Sequence, residues 1–372
     1  MKYLLFLSLS ILFIGCPSPP NDDDGGGGGN DNGETPKRDY VWSIDTMVFN
    51  VPEAPPDQVS IQCIWGSSPH DVWAVGQSDV GAGRLWHYNG AQWTPRIDRP
   101  RNGFDNGKGY INYLFAIAGF DSVNVFFAGD RAYVDPPYSD SAIVLKWNGS
   151  TWSEVPWITG RRANGGLGEI LPQGKTKLWV AGAAGSVARY ENGLMIEEPH
   201  FTDYRLGLGQ IAALDNGEVY VNAYKDSLVN GSLIGSITKL FERDMNGDWT
   251  LVENKFIQGA DYDDNGFGKG ILGINNKLFT DNRGLWERVD KKWLKRMSYQ
   301  GMGGASLING NNIWTYFKQE LWHYNGKDWK QIVIPQLQNY PEGFLYGRGW
   351  SDNKEIFLSL HYNGKTYIVH GR

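Results

Sequence analysis

The sequence predicts an all-β fold, a seven-bladed β-propeller of four-stranded blades, and three observations carry that prediction. A unit of about 35 to 60 residues recurs along the chain, the signature of a repeat architecture. Each unit holds short runs of aromatic and β-branched residues divided by Gly- and Asn-rich turns. No stretch of the body has the apolar period of an amphipathic helix. Composition agrees, with 16 Trp, 19 Tyr, 16 Phe and 48 Gly among 372 residues.

The N-terminus stands apart from the repeats. "MKYLLFLSLSILFIGC" has Lys2, an apolar run from Leu4 to Ile14, and Gly15 just before Cys16. This is the pattern of an export signal, and the run falls well short of the roughly 20 residues that a spanning helix needs. The ending "LFIGC" resembles the lipobox of bacterial lipoproteins. That resemblance implies a signal peptide over residues 1–16 and a Cys16 that is acylated, palmitate being one such chain, and becomes the mature N-terminus. Residues 17–38, "PSPPNDDDGGGGGNDNGETPKR", lack any aliphatic or aromatic side chain and read as an acidic, Gly-rich disordered tether. Acids close behind the Cys resemble the export signal of surface lipoproteins in Bacteroidetes-type bacteria. The expected address is therefore the outer membrane, facing the cell surface, with a periplasm-facing orientation as the alternative.

Of the 41 acids and 35 bases in the chain, five acids and three bases precede residue 39, which leaves 36 against 32. A body so balanced has no basic patch for nucleic acid. With Cys16 acylated, Cys63 would be the only thiol left, so no internal disulfide is expected. Membrane contact is expected through the lipid alone, and the protein is expected to be a monomer.

The propeller domain is assigned to residues 39–372. Its clearest repeat, Ile61 to Ile97, parses into four strands: "QCIWGS", "VWAVG", "RLWHY" and "QWTPRI". Taken as strands a to d, the b strand recurs with a ring at Trp73, Phe126, Trp179, Tyr220, Phe279, Trp314 and Phe357. The d strand recurs at Trp93, Trp152, Met195, Trp249, Trp293 and Trp329. One d strand is missing at the end of the chain, and "YVWSIDTMVF" at Tyr40 is a strand without partners. The N-terminal strand is therefore expected to complete the last blade and close the ring. The Asn89-Gly90 and Asn363-Gly364 dipeptides suggest two-residue turns with both residues at positive φ.

The "NGxxW" turns at Gly90 to Trp93 and Gly149 to Trp152 resemble the second half of the Asp-box of BNR-type and sialidase propellers. The first half is absent, since Leu145 and Trp147 stand where its Ser and Asp would be. Most of residues 40–372 is similar to exported bacterial propellers with "DVWAVG…HYNGxxW" repeats, a group without a common activity.

Alternating strand direction puts the a-b and c-d turns on one face and the b-c and d-a connections on the other. The first set is short and stereotyped. The second includes long, individual segments such as "DRPRNGFDNGKGY", "ITGRRANGG", "YKDSLVNGSLIGS" and "QLQNYPEGF". Variable loops on a rigid scaffold are where binding residues concentrate. The candidate ligand-binding residues are Arg99, Arg101, Tyr133, Tyr138, Arg161, Arg162, Tyr204, Arg205 and Tyr262.

"DYDDNG" at Asp261 matches the start of a calcium loop, with Asp261, Asp263 and Asn265 as weak ligand candidates. Its twelfth place, where a bidentate Glu belongs, is Leu272, so an acidic loop fits better and no cofactor is expected. His87, His323 and His361 share the "HYNG" context, which makes them features of the repeat rather than metal ligands. No nucleophile elbow, zinc-hydrolase or phosphate-loop motif is present. The expected function is thus a noncatalytic binding or scaffold module that takes a glycan or protein ligand on the long-loop face. The alternatives are a degenerate sialidase-like glycoside hydrolase and a periplasmic partner in envelope assembly.

Overall fold

The computed structural model describes residues 37–47, 59–78, 85–96, 110–132, 141–156, 166–182, 185–198, 201, 211–229, 232–258, 270–274, 276–281, 284–298, 304–309, 312–325, 327–352 and 354–372. Among them the fold is all β apart from short helical turns, and no helix is long and apolar enough to cross a membrane.

Five four-stranded antiparallel sheets follow one another along the chain. The first comprises β6 (Tyr110–Asp121), β7 (Asn124–Ala132), β8 (Ser141–Trp147) and β9 (Trp152–Glu154). The next holds β10 (Leu167–Gln173), β11 (Lys177–Gly182), β12 (Ser186–Glu191) and β13 (Leu194–Glu198). Then come β14 (Ile211–Ala213), β15 (Val219–Val229), β16 (Ser232–Arg243) and β17 (Trp249–Gln258). They are followed by β18 (Gly270–Ile274), β19 (Lys277–Asp281), β20 (Gly284–Val289) and β21 (Lys292–Ser298). The fifth comprises β22 (Gly304–Asn309), β23 (Asn312–Phe317), β24 (Glu320–Tyr324) and β25 (Trp329–Ile332).

The expectation of seven separate four-stranded blades is corrected by the remaining strands. They form one eight-stranded sheet in the order β1 (Trp42–Thr46), β28 (Lys365–Gly371), β27 (Ile356–Tyr362), β26 (Phe344–Ser351), β2 (Val59–Ser68), β3 (Asp71–Ser78), β4 (Leu85–Tyr88) and β5 (Trp93–Pro95). The cause is local. Between Tyr346 and Trp350 the register of β26 on β27 slips, and the bulged segment pairs in parallel with β2 at Cys63 and Arg348. The count of self-contained blades is therefore five. The N-terminal strand does pair antiparallel with the last one, from Trp42 opposite Gly371 to Thr46 opposite Tyr367.

The innermost strands pack in chain order, β2 on β6, β6 on β10, and onward to β26, which returns to β2. Rings fill the spaces between sheets. Trp73 of β3 meets Phe127, Trp147 and Trp152 of the next sheet at 5.7, 5.8 and 5.5 Å between centroids. Trp249 lies edge-on to Trp179 and donates its indole N–H to Glu198 across a sheet boundary, 3.1 Å, and Trp293 does the same to Glu253, 2.9 Å. The repeated Trp residues are thus packing groups, each ring pair contributing about 0.5–1.5 kcal/mol beyond its burial.

Two sequence expectations change here. The Asn89-Gly90 turn has only Gly90 at positive φ, +89°; Asn89 instead accepts the N–H groups of Ala91 and Gln92 through its side chain. Asn363-Gly364, at +50° and +75°, does have both residues in the left-handed region. "YKDSLVNGSLIGS" is a long hairpin rather than a loop, with only residues 230 and 231 between β15 and β16. Lastly, Cys63 is fully buried, with its Sγ 3.7 Å from the Ile117 carbonyl oxygen; Cys16, the other cysteine of the chain, lies outside the described residues.

Candidate functional site

The glycine that ends the b-strand phrase shapes the axis of the ring. "DVWAVG", "NVFFAG" and "KLWVAG" end at Gly76, Gly129 and Gly182. Opposite each, the innermost strand bulges: the register skips Gln62 between Ile61 and Cys63, Phe115 between Leu114 and Ala116, and Gly168 between Leu167 and Glu169. A bulge pushes backbone out of the ladder. A Cβ on Gly76 would stand 2.8 Å from the Ser60 carbonyl carbon and 2.9 Å from Ile61 Cα, and closer still to the Ser60 oxygen. On Gly129 it would stand 3.0 Å from both Tyr113 C and Leu114 Cα. Only glycine fits there, so the repeated letter is a space for the bulge.

The bulges gather polar groups. Gln62 is buried and donates from Nε2 to the Tyr346 hydroxyl at 2.7 Å and to Ser60 Oγ at 3.2 Å. Burial pushes the Tyr346 pKa above its ordinary value. On β6 the Tyr113 N–H donates to the buried Asp130 carboxylate at 2.8 Å.

The strongest feature is a buried ion pair. Glu169 of β10 and Arg348 of β26 are 1% and 3% exposed, and Arg348 Nη2 donates to Glu169 Oε1 at 2.9 Å. Both stand at bulges. Strands β2 and β6 lie between β10 and β26 in the ring, so the pair spans the axis instead of joining neighbours. Glu169 Oε2 accepts the Ile211 N–H of β14 at 3.3 Å, which ties a third sheet to the pair. Arg348 Nη1 is buried and has no hydrogen-bond partner among the described residues. A buried N–H left unpaired costs about 1–3 kcal/mol, so an acceptor brought to it would gain accordingly.

Two clefts lie elsewhere. One, of ≈ 500 Å³, runs between Arg38, Tyr40 and Val41 on one side and Lys330, Val333 and Gln336 on the other. The second, of ≈ 320 Å³, is lined by Phe120, Tyr190, Lys146, Lys175 and Lys177. Lys177 faces Glu191 at 3.6 Å, and the Arg189 hydrogen bond holds the Glu191 carboxyl below its usual range.

Every candidate ligand residue from the sequence, Arg99, Arg101, Tyr133, Tyr138, Arg161, Arg162, Tyr204, Arg205 and Tyr262, lies outside the described residues. So do Cys16 and the calcium candidates Asp261, Asp263 and Asn265. Among the described residues no three His, Cys, Asp or Glu side chains group as a metal site. The segment "QLQNYPEGF" is described and is structural: Pro335–Asn339 forms a 3-10 helix that buries Leu337 in the core.

The histidines prove to be blade fasteners. His87 stacks on Trp73 at 4.1 Å and reaches Asp71 at 2.6 Å, and His323 stacks on Trp314 at 3.9 Å and reaches Asn312 at 2.7 Å. In the last strand set, β26 to β28 with β1, this part is taken by His370, on Phe357 at 3.9 Å and Glu355 at 2.6 Å. His361 instead lies by Phe344 and Tyr346, because there "HYNG" turns the second strand into the third. Burial, with the Arg38 charge adding to it, lowers the His323 pKa to about 3. Its imidazole is neutral, receiving Arg38 Nε at Nδ1, 3.4 Å.

Sequence reasoning missed Glu169, Arg348, Gln62 and Tyr346. The signal for Arg348 was the pair of glycines around it in "YGRGW".

The sequence matches no family model and no curated protein. Its structure is similar to YCF48 bound to a D1 peptide, with a TM-score of 0.56 at 15% identity over 91% of this chain and 99% of that one. Also similar are YCF48 from Cyanidioschyzon merolae, TM-score 0.48 at 12% identity over 88% and 98% of the two chains, and an ancestral GH74 enzyme, TM-score 0.47 at 11% identity over 84% and 49%. The first likeness shows the fold, a β-propeller.

Proposed function

We propose that this propeller is a noncatalytic binding module for a protein ligand, engaged as an extended peptide at the axial end where the long connections join the innermost strands. The observation that carries the reading is Arg348, held in place by Glu169 with a buried Nη1 that no described residue satisfies. A guanidinium fixed on one side and still lacking an acceptor on the other suits a backbone carbonyl or a carboxylate. The similar YCF48 is known in complex with a D1 peptide, which supports a peptide over a glycan. The Arg and Tyr residues that the sequence singles out in the connections, Arg161, Tyr204 and Arg205 among them, are proposed as further contacts on sequence grounds.

Selection of a displayed random-peptide library on the immobilised protein tests this, with a glycan array alongside. Enriched peptides are expected to lose about tenfold in affinity for Arg348→Gln, the worth of one charge-assisted hydrogen bond. Glycan binding with no enriched peptide, or peptides indifferent to Arg348→Gln, would overturn the reading.

We further propose that the chain is an outer-membrane lipoprotein exposed at the cell surface, acylated on Cys16. The lipobox-like "LFIGC" and the acidic tether support this. The mass of the mature N-terminal peptide tests the acylation, and an unacylated Cys16 would end the anchoring proposal.

A further inference from the structure

The outermost strands of the other sheets are short: β5 and β9 have three residues each, β25 four, β1 and β13 five, β21 seven. Strand β17 has ten, and β15 and β16 of the same sheet have eleven and twelve. Together they form a long three-stranded ribbon at whose end β17 pairs, among the described residues, only with β16. An open edge that long presents a row of unpaired N–H and C=O groups. Its side chains are also unusual for an edge. Phe256 is 48% exposed and stands directly opposite Ile237, itself 36% exposed.

We propose that β17 is a self-association edge, on which a second copy of this chain pairs antiparallel about a two-fold axis centred on Phe256. This is independent of the proposed ligand. An isologous contact uses the same patch twice. A two-fold axis perpendicular to the sheet keeps each residue on its own face, so it must pass through a residue position. Centring on Lys255 would set ammonium against ammonium, which is unfavourable for directly opposed residues. Centring on Asn254 would carry the partner strand over the bulge at Val252, where the register steps from Phe241 opposite Leu251 to Leu240 opposite Glu253. Centring on Phe256 uses the regular run, opposes Lys255 to Ile257, and aligns Ile237, Phe256, Phe256 and Ile237 in one apolar row. Strand pairing along this short run with the two rings buried makes a small interface, so weak, concentration-dependent association is expected.

Site-directed cross-linking with sedimentation tests it. Residues opposite each other in an antiparallel pair have Cα atoms about 4.5–5.5 Å apart, within disulfide reach. Under mild oxidation Phe256→Cys should give a covalent dimer that neither the parent protein nor Asn254→Cys gives. The parent protein should sediment as a concentration-dependent dimer, and Phe256→Lys as a monomer with an unchanged melting temperature. If Phe256→Lys fails to fold, the cross-link decides. A parent protein that stays monomeric at hundreds of micromolar, or cross-linking through Asn254→Cys and not Phe256→Cys, overturns the proposal.

Discussion

Replacing Gly129 by alanine tests whether the repeated b-strand glycine exists to admit a bulge. The new Cβ would lie 3.0 Å from Tyr113 C and from Leu114 Cα, and its nearest neighbour is the Tyr113 carbonyl oxygen. These are backbone atoms inside a paired strand, so no side-chain rotation relieves the overlap. Strand β6 must move away from β7 or give up its bulge. Either movement strains the Tyr113 N–H bond to Asp130, 2.8 Å. Overpacking of this kind costs about 1–3 kcal/mol and the loss of a buried hydrogen bond about 1, so a total of about 3 kcal/mol is expected. Gly174 provides the control: φ is +63° and no heavy atom lies within 4 Å of its Cβ position. There alanine meets only left-handed backbone strain, about 1 kcal/mol. Urea unfolding of the two variants beside the parent protein measures both. If Gly129→Ala is no more destabilising than Gly174→Ala, the steric account of the repeat is wrong.

The pH dependence of stability should contain a contribution from His323. Its folded pKa of about 3 lies below the value near 6.5 of an unfolded chain, so the unfolded state binds the extra proton. The stabilisation is complete above the unfolded pKa and is lost as pH falls toward the folded one. Between about pH 7.5 and pH 5 the expected loss is about 2 kcal/mol, and His323→Gln should flatten the denaturation-midpoint profile by that amount; an equal slope in both proteins would refute it. The axial ion pair should be costly to break and cheap to replace. Glu169→Gln should destabilise by about 3 kcal/mol because it strands a buried guanidinium, whereas Glu169→Leu with Arg348→Met should come within about 1 kcal/mol of the parent. Additive single effects in that double-mutant cycle would mean the two side chains do not interact.

How much of this was legible depends on whether a feature repeats. The rings from Trp73 to Phe357 and the Trp residues of the outer strands recur in similar contexts, and every one fell on its expected strand. The N-terminal strand was legible by elimination, since Trp42 lacked partners and the end of the chain lacked a strand. The merging of the first and last strand sets was not legible, because it rests on a bulge between Tyr346 and Trp350 that occurs once. Glu169 and Arg348 are 179 residues apart, and no local pattern relates them. The inner part of the β15–β16 hairpin, Tyr224 to Ser236, was read as a loop because Asn230 and Gly231 sit among polar residues that resemble a connection. "HYNG" serves two places: at His87 and His323 it ends the third strand and the imidazole lies on a ring, whereas at His361 it turns the second strand into the third and the fastener falls to His370. The glycine ending "WAVG", "FFAG" and "WVAG" held more information than was drawn from it. A glycine at the end of a strand that otherwise favours bulky residues implies a neighbouring backbone pressed close. In these units that neighbour is the innermost strand, so the phrase marks where side chains turn toward the axis. The fourth to seventh units, which read "EVYVNA", "KLFTDN", "NIWTYF" and "EIFLSL", lack that glycine. Gln62 and Glu169 therefore stand at bulges that a b-strand glycine admits, whereas Arg348 stands at a bulge of β26 beside its own Gly347 and Gly349, with no such glycine opposite.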